Sequence, residues 1–284
     1  MVISTKTKND FLSSKTFKQI TIEKKHEHTT LKATELSIGY KTKKKEILIA
    51  DKIDFSLKKG EITSIVGING IGKSTLLRTL AYVQPKLQGE ILLNEKEIEN
   101  YTSLALASQI SVVLTETVAS KNLTVLELIA LARQPYTNWI GTLTTTDKNK
   151  IAEAIAMVQL ETLQHKKCYE LSDGQLQKVM IARALAQDTA VILLDEPTSH
   201  LDMYHKAVIL KLLKNIANKT KKTVLFTTHE IEVAIQICDK MLVLGKNQFS
   251  FGTPEELITS KCFEKLFPKD TITFDASSAS FKIK

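Results

Sequence analysis

GINGIGKS, residues 67–74, has glycine at its first and sixth positions followed by lysine and serine, the spacing of a phosphate-binding loop. Its flanks carry as much information. EITSIV, residues 61–66, is apolar and β-branched and reads as a buried strand. STLLRTLAY, residues 74–82, reads as a helix with Leu76, Leu77 and Leu80 on one side. Strand, glycine loop and helix in that order make a nucleotide-phosphate site. From Gly67 through Asn69, Gly70 and Gly72 the loop can crowd backbone N–H groups around phosphate oxygens. The helix start, with Thr75 in its first turn, adds a positive dipole. Lys73 suits the β- and γ-phosphates, and the Ser74 hydroxyl suits Mg²⁺. The bland alternative is a glycine turn before a helix.

The 284 residues, 43% hydrophobic and 25% charged, fit one large soluble domain or two modest ones. No apolar run approaches the length that crosses a bilayer, and the first thirty residues have neither a secretory apolar core nor an arginine. The expected location is the cytosol or the cytoplasmic face of the membrane, as a peripheral protein. Cys168, Cys238 and Cys262 form no CxxC pair and are expected as reduced thiols. His26 and His28 form an HxH pair, better read as solvated tail than as metal ligands.

The net charge is +8, and residues 1–58 hold thirteen lysines against seven acids. Lys43, Lys44 and Lys45 read as a solvated loop. Without interleaved aromatics or an arginine cluster, no direct nucleic-acid contact is expected.

Residues 1–30 read as a basic extension. Alternating segments at 31–40, 47–57 and 89–93 predict a small antiparallel sheet. From 103 to about 178 the pattern turns helical, with helices at 123–133 and 147–160 and with Thr124 and Asp147 as N-caps. RQPYTNWIGT, 133–142, reads as a loop. Strand and helix then alternate: strands at 190–194, 223–228 and 241–244, and helices at 203–218 and 230–238. That is the pattern of a parallel sheet with helices on its faces. Residues 264–284 read as a C-terminal tail.

Further motifs follow the loop in order. LLDEP, 193–197, ends an apolar strand with two carboxylates at the edge where α/β sheets bind ligands. Asp195 suits a Mg²⁺ shell, and Glu196 suits a general base for water. In LSDGQ, 171–175, Ser172, Gly174 and Gln175 open a helix with an anion-seeking start. SHLD spans 199–202. TTHE puts His229 at a strand end within reach of a γ-phosphate. Tyr40, ending the first strand, can stack on adenine or simply pack.

Together these residues resemble the nucleotide-binding subunit of an ATP-binding cassette (ABC) transporter over residues 31–263. The resemblance implies a P-loop NTPase (RecA-like) core with an N-terminal antiparallel β subdomain and a helical insertion. It makes 67–74 the Walker A loop, 171–175 the signature, 191–195 Walker B, Glu196 the catalytic acid, 199–202 the D-loop and His229 the switch histidine. It implies a head-to-tail homodimer in which ATP and Mg²⁺ lie between the P-loop of one copy and Ser172, Gly174 and Gln175 of the other. It further implies that Lys73, Glu196 and His229 act together in hydrolysis and that this moves integral-membrane permease subunits. The sequence departs from that pattern twice. The usual glutamine between core and insertion is replaced by Thr115 or Glu116, and Asp173 replaces a small residue in the signature. Asp173 is expected to turn away from the phosphate as a helix cap.

LTVLELIALARQPYTNWIG, 123–141, and FGTPEEL, 251–257, resemble ATPases of importers for iron–siderophore complexes, haem and vitamin B12, with Ala132 where glycine is usual. In the resemblance the insertion and its loop form the groove that receives the permease, with a substrate-binding protein as indirect partner. Tyr136 and Trp139 can line that groove, with ordinary packing as the alternative for the only tryptophan. A ferric-siderophore importer is the leading expectation. A haem or vitamin B12 importer, and a soluble cassette ATPase, are the alternatives.

Overall fold

β1 (Thr29–Lys41) and β2 (Glu46–Lys58) pair antiparallel, with Leu31, Leu36 and Ile38 of β1 and Ile53 and Leu57 of β2 completely buried. β3 (Ile62–Val66) runs through the glycine loop into α1 (Lys73–Leu80), as expected. β4 (Gln88–Leu93) and β5 (Lys96–Glu97) complete a four-stranded sheet in the order β2-β1-β4-β5. This computed structural model describes residues 29–41, 45–115, 121–246, 248–268 and 270–284. The basic extension before residue 29, with His26 and His28, and Lys43, Lys44 and Glu116 lie outside them.

α2 (Ser103–Ala107) and β6 (Ile110–Val113) precede the helical region of α3 (Val125–Ala130), α4 (Thr145–Val158) and α5 (Asp173–Ala186). β7 (Val191–Leu194), α6 (Met203–Thr220), β8 (Thr223–Thr228), α7 (Ile231–Ile237), β9 (Lys240–Gly245) and β10 (Gln248–Gly252) follow. The second sheet has the order β10-β9-β3-β8-β7-β6, parallel except for β10. The expected α/β core, antiparallel sheet and helical region are all present.

Successive strand residues point to opposite faces, and both faces of this sheet are covered. Ile65, Leu193 and Leu225 join α1 and the antiparallel sheet in one core, while Val66, Leu194, Val224 and Phe226 join α5 and α6 in the other. α1 buries Leu76, Leu77 and Leu80 completely. Each such side chain contributes about 1.5–3 kcal/mol through burial, which fixes the helix beneath the loop that precedes it.

Two local expectations need correction. Thr124 does cap α3, in a box with Glu127, but α4 is capped by Thr144 rather than Asp147. The Asp147 N–H donates to Thr144 Oγ1, so Asp147 lies one turn inside the helix. There its carboxylate takes a 2.8 Å hydrogen bond from Arg133, whose other arm donates to the Ala186 carbonyl at the end of α5. Second, the segment read as loop over 133–142 begins inside a 3₁₀ helix, Leu131–Tyr136, with Pro135 in it; residues 137–142 are turn and irregular backbone, as expected. Beyond the short helix α8 (Pro254–Thr259), β11 (Ile272–Asp275) and β12 (Ser280–Ile283) form a hairpin. Its Phe274 and Phe281 rings pack on Phe263 and Phe267. All three cysteines are free and buried. Among the described residues no helix is long and apolar enough to cross a membrane.

Candidate nucleotide site

The strand order puts three loop ends side by side. β8 lies between β3 and β7, so the glycine loop, His229 and the Asp195–Glu196 pair all leave the same sheet edge. Ligands of open α/β sheets bind beyond the carboxyl ends of the strands, and this edge is that one.

Gly72 caps α1 in the left-handed region, with φ 109°, and a Cβ there would come within 2.4 Å of Ile49. Only glycine satisfies both conditions. Gly70 also has positive φ, 78°, and it and Asn69 are exposed at the loop's crest. Lys73 folds back beneath the loop, donating to the carbonyls of Gly67 at 3.1 Å and Ile68 at 3.3 Å. Its side chain is 5% exposed and 4.0 Å from Glu196 Oε1. Burial pushes the Lys73 ammonium below the ordinary lysine range, partly offset by Glu196 and Asp195.

Ser74 Oγ donates to Asp195 Oδ1 at 2.9 Å. The pair is two hard oxygen donors side by side beneath the phosphate loop, a set that fits Mg²⁺, which takes few protein ligands and completes its shell with phosphate and water. Thr227, which the motif search missed, also donates to Asp195 Oδ1, at 2.7 Å, and its Oγ1 accepts the Glu196 N–H at 2.8 Å. Thr227 is fully buried, so a polar strand residue two before His229 was its signal. Glu196 has φ 44°, a strained conformation for a residue with a side chain, which the Thr227 bond helps hold. His229 Nδ1 approaches Glu196 Oε1 to 3.7 Å. Lys73 and His229 thus flank one carboxylate oxygen.

Tyr40 is half exposed and its hydroxyl lies 3.1 Å from Thr75 Oγ1 in α1. Ser172 caps α5 in a box with Gln175. The capping role expected of Asp173 therefore belongs to Ser172; Asp173 is exposed and lines a cavity of about 330 Å³. Thr115, Gln177, His200, Asp195 and Glu196 also line it; Glu116, the other candidate for the missing glutamine, lies outside the described residues. Gly174 is buried against His205, whose ring would be 2.8 Å from a Cβ there.

The chemistry available is that of a polyphosphate site: loop N–H groups, one buried ammonium, a hydroxyl–carboxylate pair and a second carboxylate between that ammonium and an imidazole. The ABC transporter family model matches residues 50–199. An uncharacterized ABC transporter ATP-binding protein of Methanocaldococcus jannaschii is 39% identical over 256 residues, 89% of this chain and 87% of its own. The iron(3+)-hydroxamate import ATP-binding protein FhuC of Bacillus subtilis is 32% identical over 242 residues, covering 85% and 88%. A solved dimeric ATP-binding cassette in a post-hydrolysis state, bound to ADP and Pi, superposes with a TM-score of 0.62 at 30% identity, covering 75% of this chain and 94% of that one. The chain belongs to the ABC transporter family, as an ATP-binding subunit whose hydrolysis is coupled to transport.

Proposed function

We propose that this chain is the energy-coupling ATPase of an importer for ferric siderophore-type iron complexes, bound to permease subunits at the cytoplasmic face of the membrane. The observation that carries the catalytic reading is the convergence of Lys73, Ser74, Asp195, Glu196 and His229 on one sheet edge. The iron(3+)-hydroxamate relative supports the cargo class.

ATP is held by the loop of residues 67–74, with Tyr40 beside the base and Lys73 on the β- and γ-phosphates. Ser74 and Asp195 hold Mg²⁺, which when bound neutralises developing phosphate charge. Glu196 accepts a proton from the attacking water, and its strained backbone aims it into the site. His229 donates to the γ-phosphate. Ser172 and Gly174 of a second copy close over the nucleotide, so two chains complete each site. Gln175 holds Ser172 in its capping geometry.

The permease side is the exposed apolar surface of the insertion. Trp139 is 94% exposed beside exposed Ile140, and Tyr136 is tied by its hydroxyl to the Gln187 carbonyl. An exposed indole on an anchored loop suits a docked helix.

Two measurements test this. Purified from native membranes, the chain should bring integral-membrane partners with it; elution with none contradicts the transporter reading. A deletion strain should fail to grow on a ferric hydroxamate as sole iron source yet grow on simple iron salts. Normal growth on the hydroxamate overturns the cargo assignment.

A further inference from the structure

α6 begins at the Asp202 cap, directly after the SHLD turn, and in its first turn Lys206 reaches the segment that carries His229. Lys206 forms an ion pair and hydrogen bond with Glu230 Oε1. The other carboxylate oxygen of Glu230 accepts from Thr198 Oγ1 at 3.4 Å, and the Glu230 N–H donates to Thr228 Oγ1 at 3.1 Å. Glu230 is thus tied to α6, to the turn that follows Glu196, and to the end of β8. Both charged side chains are partly withdrawn from water, 28% exposed for Lys206 and 18% for Glu230.

Glu230 also occupies the cap position of α7 yet makes no side-chain capping bond there. Its carboxylate is committed to the neighbouring helix instead of its own. His229 is 46% exposed and comes no nearer Glu196 than 3.7 Å, so its place is set by the backbone on either side of it.

We propose that Lys206 is a positioning residue for ATP hydrolysis. By holding Glu230 it fixes the backbone of His229 relative to the SHLD turn and to Glu196. It acts through the histidine, by way of Glu230. The proposal rests on the role given to His229 above.

The test measures phosphate release against ATP concentration for the full-length chain. Lys206→Met keeps the aliphatic stem and removes the cation; it should lower kcat about tenfold while leaving KM for ATP within about twofold, because the interaction it supports is made in the transition state. Lys206→Arg should recover most of the rate. In a His229→Ala background, adding Lys206→Met should cost nothing more, since both changes remove one function. Glu230→Gln runs the same comparison if Lys206→Met does not yield folded protein. Full kcat in Lys206→Met, or an equal further loss in the double variant, overturns the proposal. Full turnover by His229→Ala alone instead overturns the role of the histidine on which it rests.

Discussion

Ser74 donates a 2.9 Å hydrogen bond to Asp195 across 121 residues of sequence. Parallel pairing of β3, β8 and β7 makes that contact, and it joins the phosphate loop to the acid pair. As the proposed ligands of one Mg²⁺ ion, the two residues should be equally sensitive to its removal. Ser74→Ala and Asp195→Asn should each raise the Mg²⁺ concentration needed for half-maximal hydrolysis by about tenfold or more. A titration in which neither variant shifts would remove them as metal ligands.

Thr227 acts on both carboxylates. Thr227→Val keeps shape but leaves the Glu196 N–H without its partner, at a cost of about 1–3 kcal/mol. Because Glu196 is the residue displaced, kcat should fall about tenfold with ATP affinity little changed. Chemical denaturation and steady-state kinetics on the same variant check both parts. A variant as active and as stable as the parent would show that the bond is incidental.

Asp147 supplies a pH test. Hydrogen bonding from the Thr144 hydroxyl, together with Arg133, holds its carboxyl below the ordinary range. A depressed carboxylate stabilises the fold at pH values above its unfolded pKa, near 4, and loses that contribution as pH falls through the folded value. Asp147→Asn should therefore be less stable at pH 7, by about 3 kcal/mol for a broken buried pair. The gap should narrow in progressively more acid buffer. A gap independent of pH would contradict the assignment.

Burial pushes the Cys238 thiol up to about 12, and Cys168 and Cys262 are raised for the same reason. Thiolate is the reactive form, so at pH 8 all three should resist alkylation until the chain unfolds. Rapid labelling of the native protein, read by mass spectrometry, would show that these sites open readily.

Much of the site was legible because its parts are local. Strand, glycine loop and helix stand within 20 residues, and LLDEP and TTHE each end an apolar run. Thr227 was not legible, because its role comes from the β7–β8 register, in which Leu194 pairs with Phe226 and so brings Asp195 beside Thr227. The ion pair of Lys206 and Glu230 is hidden for the same reason: nothing near either residue in sequence announces the other. Asp147 was misplaced because Thr and Asp both cap helices, and here they share one capping box. The 3₁₀ turn around Pro135 lacks the long apolar period that distinguishes helix from loop, and the 272–283 hairpin is too short to stand out as strands.

In the proposed mechanism each ATP is enclosed by two copies of the chain and hydrolysed with Glu196 as base. Sedimentation of Glu196→Gln with and without Mg-ATP tests it most directly. The variant should form a stable dimer with ATP still intact and turnover abolished, dissociating when nucleotide is removed. A variant that stays monomeric in ATP, or that hydrolyses it at the parent rate, would contradict it.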